Sequence, residues 1–118
     1  MYSLKKHAKG FTLIEIMIVI GILSLLASIS IYSYTQYRTD SAKRVLLSDT
    51  KNCLNACLAK FGNNPDASCE QSDCALSVYT SSCVFDLAGP VYVSCDGAGI
   101  IAGQRCSVYQ NGQVQCGR

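Results

Sequence analysis

Histidine is nearly missing from this chain. His7 is the only one in 118 residues, and it sits among the first ten. The remainder therefore offers no imidazole for a hydrolytic triad or a metal centre. No Cys-x-x-Cys-His occurs, which removes the attachment site for covalent haem. No glycine-rich phosphate loop follows a strand-like run, and no Asn-x-Ser/Thr acceptor for N-glycosylation is present. Residues 62–118 carry no basic or aromatic patch of the kind that grips nucleic acid. These absences leave no catalytic residue, no metal and no cofactor to assign, and no nucleic-acid site. The expectation is a protein that is not an enzyme.

Charge is also missing, and here the gap has a definite place. The 21 residues from Phe11 to Ile31 contain one ionisable side chain, Glu15. At about 1.5 Å per residue such a helix spans a hydrocarbon layer of roughly 30 Å. The chain's formal charge of +2 depends on Lys5, Lys6 and Lys9, all ahead of this run; without them it is −1. Lysines clustered before a span read as an orientation signal, since cytoplasmic flanks are enriched in Lys and Arg. Arg38, Asp40, Lys43, Arg44 and Asp49 mix both signs, as a solvated helix face does.

No proline or clear helix stop lies between Phe11 and Phe61. A single helix over Phe11–Lys60 follows, about 75 Å long at standard rise. Its first half is apolar all round. Its second half, residues 32–61, is amphipathic, with Leu47, Leu54, Leu58 and Phe61 at three-, four- and seven-residue spacings. Val45, Leu46, Cys53 and Cys57 widen that stripe, and Asp49, Lys51, Asn52, Asn55 and Lys60 fall mainly opposite. Gly62-Asn63-Asn64-Pro65 ends the helix, with glycine suited to a left-handed cap and proline unable to continue. Tyr32, Tyr34 and Tyr37 cluster at the outer end of the span and read as an interfacial aromatic belt rather than a stacked electron path.

All eight cysteines, Cys53, Cys57, Cys69, Cys74, Cys83, Cys95, Cys106 and Cys116, lie beyond the apolar run. An even number in a small module outside a membrane argues for disulfides over thiolate ligands, and for an oxidising compartment. Residues 62–118 are too few to bury a comfortable core unaided. Cys53 and Cys57 stand one helical turn apart, too far to bridge each other, so each is expected to pin the helix to a different part of the C-terminal module. Residues 66–80 read as a loop with room for one short helix. Strand-like runs follow at Cys83–Leu87, Val91–Cys95, Cys106–Gln110 and Gln113–Cys116. Asn111-Gly112 signals a hairpin. A two-residue turn would put Cys106 and Cys116 on opposite faces. A three-residue loop, Gln110-Asn111-Gly112 with a glycine bulge, sets them directly opposite each other and predicts a Cys106–Cys116 bridge.

The stretch Lys9-Gly10-Phe11-Thr12-Leu13-Ile14-Glu15, ahead of a membrane span, resembles the class III signal of type IV pilins and pseudopilins. The resemblance covers the leader and the long helix. It implies cleavage between Gly10 and Phe11 by a prepilin peptidase, N-methylation of Phe11, and an assembly role for Phe11, Thr12 and Glu15. Glu15 read alone has two explanations. It favours a first helical turn through the helix dipole, or it pairs with the Phe11 amine of a neighbouring subunit. A charge within a span costs about 2.5–3.5 kcal/mol on insertion scales, and the resemblance selects the second. Many members carry a proline where this chain has Tyr32, and a glycine where it has Ser24; serines at 24, 28 and 30 still suit close helix contact.

The expected fold is α+β and pilin-like: a long N-terminal helix, membrane-spanning in its first half, packed on a small disulfide-rich antiparallel sheet. The expected division is a cleaved basic leader (1–10), a transmembrane or filament-core half-helix (11–31), an amphipathic outer half (32–61) and a disulfide-stapled module (62–118). The resemblance implies a structural subunit polymerising into a type IV pilus, with a type II secretion pseudopilin or a minor pilin such as a tip adhesin as alternatives. Implied partners are other copies, the prepilin peptidase, the pilus assembly machinery and a disulfide-forming enzyme. The implied location is the bacterial inner membrane, then the cell surface.

Overall fold

The computed structural model describes residues 10–86 and 88–118. The basic leader with Lys5, Lys6, His7 and Lys9, and Leu87 at the end of one expected strand, lie outside the described residues. One helix, α1 (Leu13–Asn63), is followed by four strands: β1 (Thr80–Phe85), β2 (Val91–Gly97), β3 (Arg105–Tyr109) and β4 (Val114–Gly117). The chain divides into two units, one ending at Gln36 and the other Tyr37–Arg118.

Residues 10–36 form the first unit, and every one of them is exposed. The side chains include Leu13, Ile14, Met17, Ile20, Leu23, Leu26 and Ile29, pointing all round the helix. It is long and apolar enough to cross a membrane. Three of its serines bond back onto the helix. Ser24, Ser28 and Ser30 donate to the carbonyls of Ile20, Ser24 and Leu26 at 2.7, 2.9 and 2.8 Å, so these three hydroxyls need no water. The helix continues unbroken through Tyr32, where proline would have removed a hydrogen bond.

In the second unit α1 packs on the sheet. The strands form an antiparallel meander in the order β1-β2-β3-β4. One ladder row is cysteine throughout: Cys83 opposes Cys95, Cys95 opposes Cys106, and Cys106 opposes Cys116. Side chains two residues away share that face, so Phe85, Val93, Val108 and Val114 form a second apolar row beside it. The other face is polar: Ser107 donates to Ser94 at 3.1 Å, and Arg105 holds Asp96 through two bonds of 2.6 and 3.1 Å. The core joins Ala42, Leu46 and Cys53 of α1 to Cys83, Val93, Cys95, Ile101, Cys106 and Val108.

The buried line on α1 differs from the expected one. It runs through Ala42, Leu46, Asp49, Thr50, Cys53 and Cys57, whereas Leu58 is 48% exposed. Leu47 and Leu54 only flank the core. The line is centred about one residue, near 100°, from the leucine row, on Leu46, Cys53 and Cys57, which the expected stripe held at its edge. The helix end differs too. Gly62 does not take a left-handed conformation; the helix continues to Asn63, and Pro65 stops it.

Two glycines shape the sheet. At Gly112, φ is +79°, its amide donates to Tyr109 at 2.9 Å, and the Tyr109 amide donates to Gln113 at 2.9 Å. This is the three-residue bulged loop. A Cβ on Gly97 would meet the Ile101 carbonyl at 2.5 Å. Its absence lets residues 98–104 fold back and bring Ile101 into the core.

Leu46 is fully buried where α1 meets the sheet. Leu46→Ala is expected to cost about 2–5 kcal/mol, read as a lower thermal midpoint of the full chain in detergent by near-ultraviolet circular dichroism. Leu58→Ala should change little.

Candidate functional site

Gly10 and Phe11 precede the helix. Among the described residues nothing crowds the α-carbon of Gly10, and Phe11 is 80% exposed. Thr12 is the N-cap. Its hydroxyl accepts the Glu15 amide at 3.3 Å, and its carbonyl accepts the Glu15 and Ile16 amides at 3.1 and 3.4 Å. Thr-x-x-Glu is the first half of a capping box, which gives Thr12 a local role in starting the helix. Glu15 lies in the first turn, where the dipole favours a carboxylate. It is exposed along with every residue around it. The structure thus brings Gly10, Phe11, Thr12 and Glu15 together at the start of a helix whose apolar surface the chain itself leaves uncovered.

The tyrosines of the outer end are exposed as well. The Tyr32 hydroxyl accepts from Gln36 Nε2 at 2.9 Å, one turn along the same helix.

The cysteines pair as Cys53–Cys74, Cys57–Cys69, Cys83–Cys95 and Cys106–Cys116. Cys53 and Cys57 do not bridge each other. They do not reach different parts of the module either, since both partners lie in one short segment, residues 69–74. That segment includes a 3-10 turn, Gln71–Asp73. Asp73 accepts from Lys60 Nζ at 2.8 Å and from the Glu70 amide at 2.9 Å. These bonds, Lys60 foremost, hold its carboxyl below the ordinary range. Gln71 reaches across to the Ser81 carbonyl at 3.3 Å.

Asp49 corrects the sequence reading most sharply. Placed by its charge on a solvated face, it is only 8% exposed. Its Oδ2 accepts from the Ser77 amide at 3.0 Å, the Ser77 hydroxyl at 2.7 Å and the Thr80 hydroxyl at 2.5 Å. Burial alone would raise its pKa. The bonds from Thr80 and Ser77 outweigh burial and hold it below the usual carboxylate value. Its spacing carried a signal: it lies three residues after Leu46 and four before Cys53, inside the buried line.

Against known proteins, residues 5–31 match the family model described as the prokaryotic N-terminal methylation motif, the class III signal of type IV pilins and pseudopilins. The matched stretch contains Gly10, Phe11, Thr12 and Glu15, and ends at Ile31 with the apolar run. Proteins bearing this motif serve structurally; the motif implies processing by a prepilin peptidase, a membrane-anchored precursor and assembly into polymers. No solved structure matches the chain.

A carboxyl with a lowered folded pKa stabilises the fold above its unfolded value of about 3.9, and that contribution is lost as pH falls through the lower folded value. Asp49→Asn should therefore cost about 1.5–3 kcal/mol at pH 7. Thermal unfolding of the full chain in detergent should show the gap to wild type narrowing from about pH 4 downward.

Proposed function

We propose that this chain is a structural type IV pilus subunit. The observation that carries the reading is the methylation motif, set in register with a helix that exposes apolar side chains on every side. Such a helix needs lipid around it, then other copies of itself. The peptidase cuts between Gly10 and Phe11, releasing residues 1–10, and Phe11 is N-methylated. Residues 11–31 serve first as the membrane anchor and then as the filament core. Residues 32–61 carry the disulfide-stapled module 62–118 outward.

Within the core, Glu15 of one subunit pairs with the Phe11 amine of another. In a dry interior an unpaired carboxylate is costly, so the pair sets axial register during assembly. Thr12 supports it by fixing the first turn. The partners are other copies, the peptidase and the pilus assembly machinery, with the inner membrane before the cell surface. Adhesion, twitching motility and DNA uptake belong to the fibre. Four disulfides favour a fibre outside the cell over a short periplasmic pseudopilus.

Intact mass and N-terminal sequencing of sheared surface filaments test the reading. Abundant filaments of a chain starting at methylated Phe11 are expected. The same chain confined to the envelope would instead identify a pseudopilin or minor subunit, and a chain still starting at Met1 would remove the basis for cleavage and for the Glu15 pair. Glu15→Gln should lower filament yield at least about tenfold, some 1.4 kcal/mol or more per subunit, while cleavage continues.

A further inference from the structure

None of the four disulfides joins α1 to the sheet. Cys53–Cys74 and Cys57–Cys69 tie α1 to the segment after it, and the other two lie within the sheet. Yet the two sets meet in the core. The Sγ atoms of Cys53, Cys83 and Cys95 all lie within 4.8 Å of one another. These residues are 1%, 6% and 0% exposed, respectively. Cys74, the partner of Cys53, is only half-buried. Cys74 is thus the more accessible end of the Cys53–Cys74 bridge, and the Cys53 sulfur rests against a second disulfide in a dry interior.

We propose that this arrangement is a thiol–disulfide exchange site. It takes an external thiol reductant as its reactant and yields a covalent helix–sheet bridge. The reductant's thiolate attacks Cys74 Sγ. A mixed disulfide forms there, the Cys53–Cys74 bond breaks, and its electron pair leaves on Cys53. Attack goes to Cys74 because Cys53 is shielded, and access decides which sulfur is hit. The Cys53 thiolate is poorly stabilised among apolar neighbours, and the Cys83–Cys95 bond lies beside it. Attack on either sulfur forms Cys53–Cys83 or Cys53–Cys95, breaks Cys83–Cys95, and releases the other sheet cysteine as a thiolate that takes a proton from solvent. One external thiol has become a mixed disulfide and one sheet cysteine ends reduced, so the electrons balance. A local clasp on α1 has been exchanged for a strap across the seam between helix and sheet.

The test uses the full chain in detergent, with acid quenching, alkylation, and disulfide mapping by mass spectrometry after trypsin and chymotrypsin. In Cys74→Ser, most molecules are expected to carry Cys53 joined to Cys83 or Cys95, with one sheet cysteine alkylated. Alkylated Cys53 beside an intact Cys83–Cys95 bridge would overturn the proposal. Wild-type protein treated with one equivalent of reduced glutathione keeps the question open to refutation even if that variant does not fold. Molecules carrying glutathione on Cys74 should contain the Cys53–Cys83 or Cys53–Cys95 bridge. Cys74 adducts with Cys53 alkylated, or adducts confined to other cysteines such as the exposed Cys116, would overturn it.

Discussion

The second unit depends on one noncovalent seam, the line along which α1 meets the sheet. Disulfides reduce the entropy of the unfolded chain on each side of that line, but none crosses it. Across it, Leu46 and Ala42 pack with the sheet residues of the core, and the Asp49 carboxylate is held by Ser77 and Thr80. A core this small tolerates little loss of packing. A buried carboxylate adds direction to packing that otherwise has none. Its three donors sit at fixed positions, so α1 has one rotation in which the charge is satisfied. In any other it is left buried and unpaired, at a cost of several kcal/mol.

The first unit rests on the opposite logic. Beyond its first turn the helix pairs its backbone groups internally, and it turns Ser24, Ser28 and Ser30 back onto its own carbonyls, which suits a surface without water. Its apolar side chains are exposed all round the helix. Glu15 is the one ionisable group in the apolar run, placed where a helix dipole already favours it. Under the proposed pilus role, an exchange of lipid for like helices asks of this segment an apolar surface and one group able to specify register.

Much of this could be read from residues alone, wherever the reading depended on local rules. The span follows from an uncharged run of sufficient length. The methylation motif around Gly10 was legible because it is defined by the order of residues along the chain. The parity of Cys106 and Cys116 about Asn111-Gly112 favours a three-residue loop over a two-residue one, since of the two only the former places both on one face. What was not legible lay at contacts between distant segments. Asp49 has the composition of a surface residue, and only Ser77 and Thr80, some thirty residues on, make its burial affordable. The leucines suggested a stripe because they are the most apolar residues. The buried line instead centres one residue earlier, on Leu46, Cys53 and Cys57, where the helix meets the sheet.

By itself, then, the sequence determined a membrane-competent helix, its processing motif, a strand-rich module and one cross-strand cysteine pair, because periodicity, length and turn chemistry are properties of neighbouring residues. The tertiary structure decided the rotation of α1, the latch at Asp49, and the sharing of one short segment by Cys53 and Cys57. It also placed the Cys53 sulfur against the Cys83–Cys95 bridge. Pairing among eight cysteines has 105 solutions on paper, and selection among them is a matter of which α-carbons the packed core brings within reach.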